Sequence, residues 1–167
     1  MELILPKSDD DRGSFIKSFH LPSLQEHGLE FALKESYFSY SHKDVIRGMH
    51  FQLPPHDHEK IVFCLQGEIL DVVVDLRKNS STYGSFVSAE LSESNHKALL
   101  IPKGCAHGFL SLEDKSITYY LVSSAYHKES DTGILYNSFG MNWPVNNPVI
   151  SGRDLSFEAL KDFKSPF

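Results

Sequence analysis

Between residues 69 and 76 the side chains sort by parity. Leu70, Val72, Val74 and Leu76 fall on one face of an extended chain, and Ile69, Asp71, Val73 and Asp75 on the other. Comparable apolar or alternating runs recur at 44–51, 60–65, 86–91, 98–101, 108–112 and 117–123. Turn-forming residues separate them: Pro54-Pro55, Gln66-Gly67, residues 78–81 and 92–95, Lys103-Gly104, and 113–115. Many short strands with closely spaced turns predict an all-β antiparallel sandwich or barrel. Helix is confined to two short candidates, 22–27 and 157–163. From Tyr126 onward the chain turns irregular, with Trp143-Pro144, Pro148 and Ser151-Gly152-Arg153-Asp154. That tail is expected to drape over the barrel rather than join it.

The length, 167 residues, predicts one domain spanning 1–167, with the barrel core at about 30–125. A formal charge of −6 argues against non-specific nucleic-acid binding, which needs a basic surface. Any anionic ligand must then be held by local cations. Cys64 and Cys105 fit no metal or redox spacing and sit in apolar runs, as buried free thiols do. No signal-peptide pattern opens the chain, and no apolar run is long enough to span a membrane. A cytoplasmic protein with reduced thiols is expected.

The candidate chemistry lies in Arg47-Gly48-Met49-His50-Phe51-Gln52, with Lys60 shortly after and His107 in Ile101-Pro102-Lys103-Gly104-Cys105-Ala106-His107. Cations beside a histidine suit an anionic substrate and a proton transfer. The segment Pro102-x-Gly104-x-x-His107 resembles the second motif of cupins, small double-stranded β-helix (jelly-roll) barrels. Their first motif usually gives two histidines and a glutamate to a metal and ends at a glycine. With Gly67 as that glycine, Lys60 stands in the glutamate position, Pro54 in the first histidine position, and only His56 remains in place. An ammonium at a ligand position repels a divalent cation. His56 and His58 still form an H-x-H pair, either a chelate or part of a solvated turn.

More widely, the chain resembles the dTDP-4-dehydrorhamnose 3,5-epimerase family. The resemblance runs from about Asp11 to Asp154, through Asp11-Arg12-Gly13, Val45-Ile46-Arg47-Gly48-Met49-His50-Phe51-Gln52 and Lys60-Ile61-Val62. It continues through Gly67-Glu68-Ile69-Leu70-Asp71, Ser81-Thr82-Tyr83-Gly84, Ala106-His107-Gly108-Phe109 and Trp143-Pro144. The resemblance implies a cupin-type jelly roll with a few short helices. It also implies an epimerase for a nucleotide-linked 4-keto-6-deoxy sugar, with no metal and no cofactor. The C4 ketone acidifies C3 and C5, so the protein must supply a base, an acid and a group that stabilises an enolate oxygen.

Matched residue by residue, the resemblance makes His50 the base, Asp154 its carboxylate partner, Tyr120 the proton donor and Lys60 the enolate-stabilising cation. It makes Arg47 and Arg12 diphosphate contacts, with Arg12 reaching a neighbouring subunit. A homodimer built by N-terminal strands, with its sites near the interface, is thereby implied. His107 and Asp71 line the cavity, and Gln52, Glu35, Tyr37 and Tyr126 complete the expected substrate contacts. Each has a plainer alternative. His50 can be a packed strand histidine, Asp154 a helix cap, Tyr120 a structural aromatic and Lys60 a surface lysine. Strand alternation puts Tyr119 and Tyr120 on opposite faces, so one packs and the other reaches the cavity.

The chain departs from the family pattern at Glu35 and Tyr37, where Gln and Asn are common, and at Ala125, where an aromatic often stacks on thymine. Lys17 replaces a common acidic residue. These changes open the nucleotide to GDP and the sugar to a heptose. Two rival functions stand beside the epimerase: a metal-dependent cupin oxygenase or isomerase using His56, His58 and His107, and a non-catalytic sugar-nucleotide-binding barrel.

Overall fold

Each of the seven predicted runs is a strand in the computed structural model, which describes residues 1–167. They are β5 (Ile46–Gln52), β6 (Lys60–Gln66), β7 (Glu68–Asp75), β8 (Phe86–Ser92), β9 (Lys97–Ile101), β10 (Cys105–Ser111) and β11 (Ser116–Val122). Before them come β1 (Glu2–Ile4), β2 (Lys7–Asp10), β3 (Gly13–Ile16) and β4 (Glu35–Ser41), and after them β12 (Asp131–Gly133). The helices are α1 (Leu21–Glu26) and α2 (Gly152–Leu155).

Two antiparallel five-stranded sheets face each other, ordered β1-β9-β6-β11-β4 and β12-β5-β10-β7-β8. From β4 to β7 the chain switches sheet at every step, and again from β8 to β12. This is the jelly-roll barrel. Alternation along the strands explains how both faces of each sheet are covered. Val62, Cys64, Ile69, Val73, Phe109, Tyr120 and Val122 form one cluster between the sheets. On the outer face of the first sheet, Ile61, Phe63, Ala98 and Leu121 pack with Leu5 and Phe31. Outside the second sheet, Val72, Val74, Leu76 and Leu110 pack under Ile134, Phe139 and Trp143. The parity of residues 69–76 thus separates two cores rather than core from solvent.

Two expectations fail. The tail does not merely drape: Asp131–Gly133 pairs with β5 in register Asp131↔Gln52, Gly133↔His50, and Val149 bridges Val45. Residues 157–163 are not a helix. The C-terminal helix lies earlier, at Gly152–Leu155, with Ser151 as its N-cap accepting the Asp154 N–H at 3.1 Å. Beyond it the aromatic side chains bind to separate neighbours. Phe163 and Phe167 pack on Phe51, and Phe157 lies against His50. Tertiary contacts therefore override the local helical pattern.

At the centre of the second sheet the backbones of β5 and β10 nearly touch. Gly48 adopts φ +148, and a Cβ there would lie 2.6 Å from the Gly108 Cα. The β5–β10 register shifts at this point, between His107 and Phe109. Gly48 N–H turns out of the ladder and donates to Asp154 Oδ2 at 3.2 Å.

Candidate active site

One end of the space between the sheets opens as a cavity of about 340 Å³. Strands from both sheets supply its lining: Tyr37 and Ser39 from β4, Arg47 and His50 from β5, Lys60 from β6, His107 from β10 and Tyr120 from β11.

His50 and His107 are direct cross-strand partners, and each ring is bound to its own carboxylate. His50 Nε2 lies 2.8 Å from Asp154 Oδ1, and His107 Nε2 lies 2.7 Å from Asp71 Oδ2. Burial raises the affinity of the Asp154 carboxyl for a proton. The hydrogen bond and charge of His50 and the Gly48 N–H outweigh it and hold the group below the usual carboxylate range. As an ionised acceptor, Asp154 fixes the proton of a neutral His50 ring on Nε2 and leaves the Nδ1 lone pair free. The His107–Asp71 pair is sealed, and burial pushes the His107 pKa down despite the opposing carboxylate.

Lys60 is buried at the cavity wall, and its Nζ donates to the His50 carbonyl at 3.2 Å. Desolvation lowers its pKa to about 8, against the opposing pull of Asp131 and Asp71. Tyr120 packs its ring edge-on to His107 at 5.9 Å and stacks on Tyr37 at 4.8 Å. Burial, then Tyr37, raises the Tyr120 pKa, so the phenol is a proton-bearing group. Tyr119 points the other way and stacks on Phe63. The cavity therefore combines an imidazole with a free lone pair, an ammonium and a neutral phenol. Such a set can remove a proton from carbon, neutralise a developing oxyanion and return a proton.

The remaining expected residues divide. Arg47 lines the cavity, its guanidinium anchored to Ser41 Oγ and the Tyr40 carbonyl. Glu35 and Tyr126 form part of the rim, where Glu35 Oε2 accepts the Tyr126 N–H at 2.7 Å. Gln52 reaches the cavity wall, but its amide is taken by the protein. Oε1 accepts from His127 N, and Nε2 donates to the His56 and Ala125 carbonyls and to His58 Nδ1. It braces two loops instead of offering a free amide. Arg12 lies outside its own chain's cavity, at the β2–β3 turn, where its side chain is 90% exposed and paired with Asp10.

No three His, Cys, Asp or Glu side chains converge as metal ligands would. His56 stacks on His127 at 3.7 Å, His58 Nδ1 faces Gln52, and His107 faces Asp71. The cavity also contains residues that the sequence did not single out: Ser39, Asp131 and Arg153. Asp131 carried no signal because its three-residue strand lies in the Pro- and Gly-rich tail. Arg153 was legible only as the neighbour of Asp154.

Residues 2–162 match the family model for dTDP-4-dehydrorhamnose 3,5-epimerase. The dTDP-4-dehydrorhamnose 3,5-epimerase of Methanothermobacter thermautotrophicus is 40% identical over 158 residues, covering 92% of this chain and 85% of that protein. The Bacillus anthracis enzyme of the same name, solved with TDP and PPi bound, superposes with a TM-score of 0.91 at 38% identity, over 93% of this chain and 91% of that one. The Legionella pneumophila dTDP-6-deoxy-D-glucose-3,5-epimerase, solved in complex with dTDP-4-keto-L-rhamnose, gives 0.92 at 34% identity over 98% and 88%. Alongside the cavity chemistry, these matches show that the chain belongs to the dTDP-4-dehydrorhamnose 3,5-epimerase family.

Proposed function

We propose that this enzyme inverts C3, C5 or both in a 4-keto-6-deoxy sugar, hexose or heptose, carried on a nucleoside diphosphate. One observation carries the reading: the His50–Asp154 pair, the Lys60 ammonium and the Tyr120 phenol meet in a single cavity. In this reading Lys60 polarises the C4 carbonyl, and His50 Nδ1 takes the proton from the adjacent carbon. The electron pair moves onto the C4 oxygen as an enolate, and Asp154 balances the imidazolium. Tyr120 then delivers its proton to the opposite face of that carbon, the enolate collapses to the ketone, and solvent restores Tyr120 and His50. Arg47 holds the diphosphate, since a guanidinium can donate two parallel hydrogen bonds to phosphate oxygens. His107 and Asp71 keep the cavity wall polar beside the base.

A homodimer completes the site. Every residue of β2 and β3 is exposed, Phe15 and Ile16 included, and the edge strand β4 exposes Phe38 and Tyr40. A second copy covering this surface would bring Arg12 to its neighbour's diphosphate. The chain then acts as one domain, 1–167, whose N-terminal strands serve the dimer. No helix is long and apolar enough to cross a membrane, and a nucleotide-linked substrate fits the cytoplasm.

The nucleobase is the departure from the relatives. Glu35 sets a carboxylate at the rim, and Ala125 offers no ring for stacking. A carboxylate accepts the adjacent N–H donors of guanine and repels the carbonyls of thymine. Mass spectrometry of deuterium uptake, with a 4-keto-6-deoxy sugar on dTDP and on GDP, tests both parts. Deuterium should enter at C3, C5 or both, faster with the GDP sugar. Preference for dTDP would overturn the base assignment alone, whereas binding without exchange on either nucleotide would overturn the epimerase reading.

A further inference from the structure

The dyad is assembled from two segments distant in sequence. β12 pairs with β5 and puts Gly133 opposite His50. α2 carries Asp154 and follows some twenty residues later. One ion pair joins these two segments: Arg153 Nη2 to Asp131 Oδ2, 2.7 Å. The Arg153 guanidinium also lies over the Phe157 ring, 5.3 Å from its centroid, and that ring meets His50 edge-on at 5.8 Å. Phe157 in turn presses on Gly133, where a Cβ would lie 2.5 Å from its Cε2 and clash with the Met49 carbonyl. The segment from Asp131 through Gly133 thus reaches α2 by way of Arg153, and Arg153 reaches His50 by way of Phe157.

We propose that the Arg153–Asp131 pair is a positioning clasp that holds α2, and with it Asp154, in line with His50. The inference rests on His50 being the base. A half-exposed ion pair of this kind contributes little to global stability. Its effect is geometric, because Arg153 is the immediate chain neighbour of Asp154. A shift of α2 by an ångström would break the 2.8 Å contact between Asp154 and His50. Asp131 has a second consequence: of the charges that favour ionised Lys60, it is the strongest.

The test uses Arg153→Met, Asp131→Asn, the double variant and Arg153→Lys in the full chain. Each single charge-removing variant should lower kcat for deuterium exchange by about ten- to a hundredfold, the scale of an ångström misplacement. KM and the affinity for nucleoside diphosphate should hardly move. The double variant should be no slower than the worse single, since both changes open the same contact. Arg153→Lys should recover most of the rate. The low-field proton resonance of the His50 Nε2–H···Asp154 bond, read without turnover, should be present in the wild type and broaden or vanish in both charge-removing variants.

An unchanged resonance in those variants overturns the clasp. So does a loss carried by KM and nucleotide affinity, which would make Arg153 a phosphate ligand, and so do losses that multiply in the double variant. Exchange that survives His50→Ala would instead strike the base assignment, and the resonance would still decide the clasp.

Discussion

Two histidine–carboxylate pairs stand side by side on β5 and β10, with nearly equal bond lengths and very different surroundings. In His50–Asp154 the imidazole is 28% exposed, and its second nitrogen is free at the cavity. In His107–Asp71 the side chains are 3% and 0% exposed. Burial drives the His107 pKa down, so this ring stays neutral where an exposed histidine would begin to titrate. The bond itself therefore says little about function. Access separates a pair that can exchange protons with a ligand from one that fixes the wall behind it. Lys60 donates to the backbone of one histidine, and its charge depresses the pKa of the other.

Removing each histidine separates the pairs. His50→Ala should cut deuterium exchange into a 4-keto sugar by about a thousandfold, within the range of general-base catalysis, while nucleotide binding persists. Exchange near the wild-type rate would erase the distinction between the pairs. For His107→Phe the main loss should be stability, because the Asp71 carboxylate would remain buried without its donor. Breaking one side of a buried pair costs roughly 3–5 kcal/mol, visible as a lower urea midpoint. A variant as stable as the parent would mean that Asp71 is neutral or reaches water.

The smallest effect concerns the cation shared by both. With its pKa lowered to about 8, Lys60 is charged below that pH and loses its charge as pH rises through it. The rate of exchange should therefore fall on the alkaline side of about pH 8, and Lys60→Arg, charged throughout, should lose that limb. A flat profile to pH 9 in the parent would remove Lys60 from the oxyanion's neighbourhood.

Much of this was legible in the chain. Short apolar or alternating runs located the seven barrel strands, because strands buried on one or both faces must be apolar there and turn residues must interrupt them. Parity put Tyr119 and Tyr120 on opposite faces, and the family resemblance, not parity, chose Tyr120 for the cavity side. The motif around Arg47, His50 and Lys60 pointed to the cavity because β5 and β6 are consecutive strands that line it from opposite sheets. What failed was local pattern without local cause. Residues 157–163 read as a helix, but their aromatic rings are drawn to separate partners. β12 is too short to show alternation, so Asp131 was invisible. Gln52 was counted as a substrate contact from its place in the motif, yet backbone groups of two loops use up its amide. Arg12 is a different case: it lies away from its own chain's cavity, and the contact expected of it is with a neighbouring subunit.

The barrel, the clustering of a base with cations, and a lysine where a metal ligand would stand are all legible in the chain. These follow from alternation, turn chemistry and charge, which act over a few residues. The family resemblance implied a carboxylate for each histidine, but the contacts themselves belong to the fold. It joined Asp154 to His50 across 104 positions and Asp71 to His107 across 36. Those pairings depend on the close approach of Gly48 to Gly108, on the seat of α2 and on burial. All three arise from packing between distant segments, which no local pattern encodes.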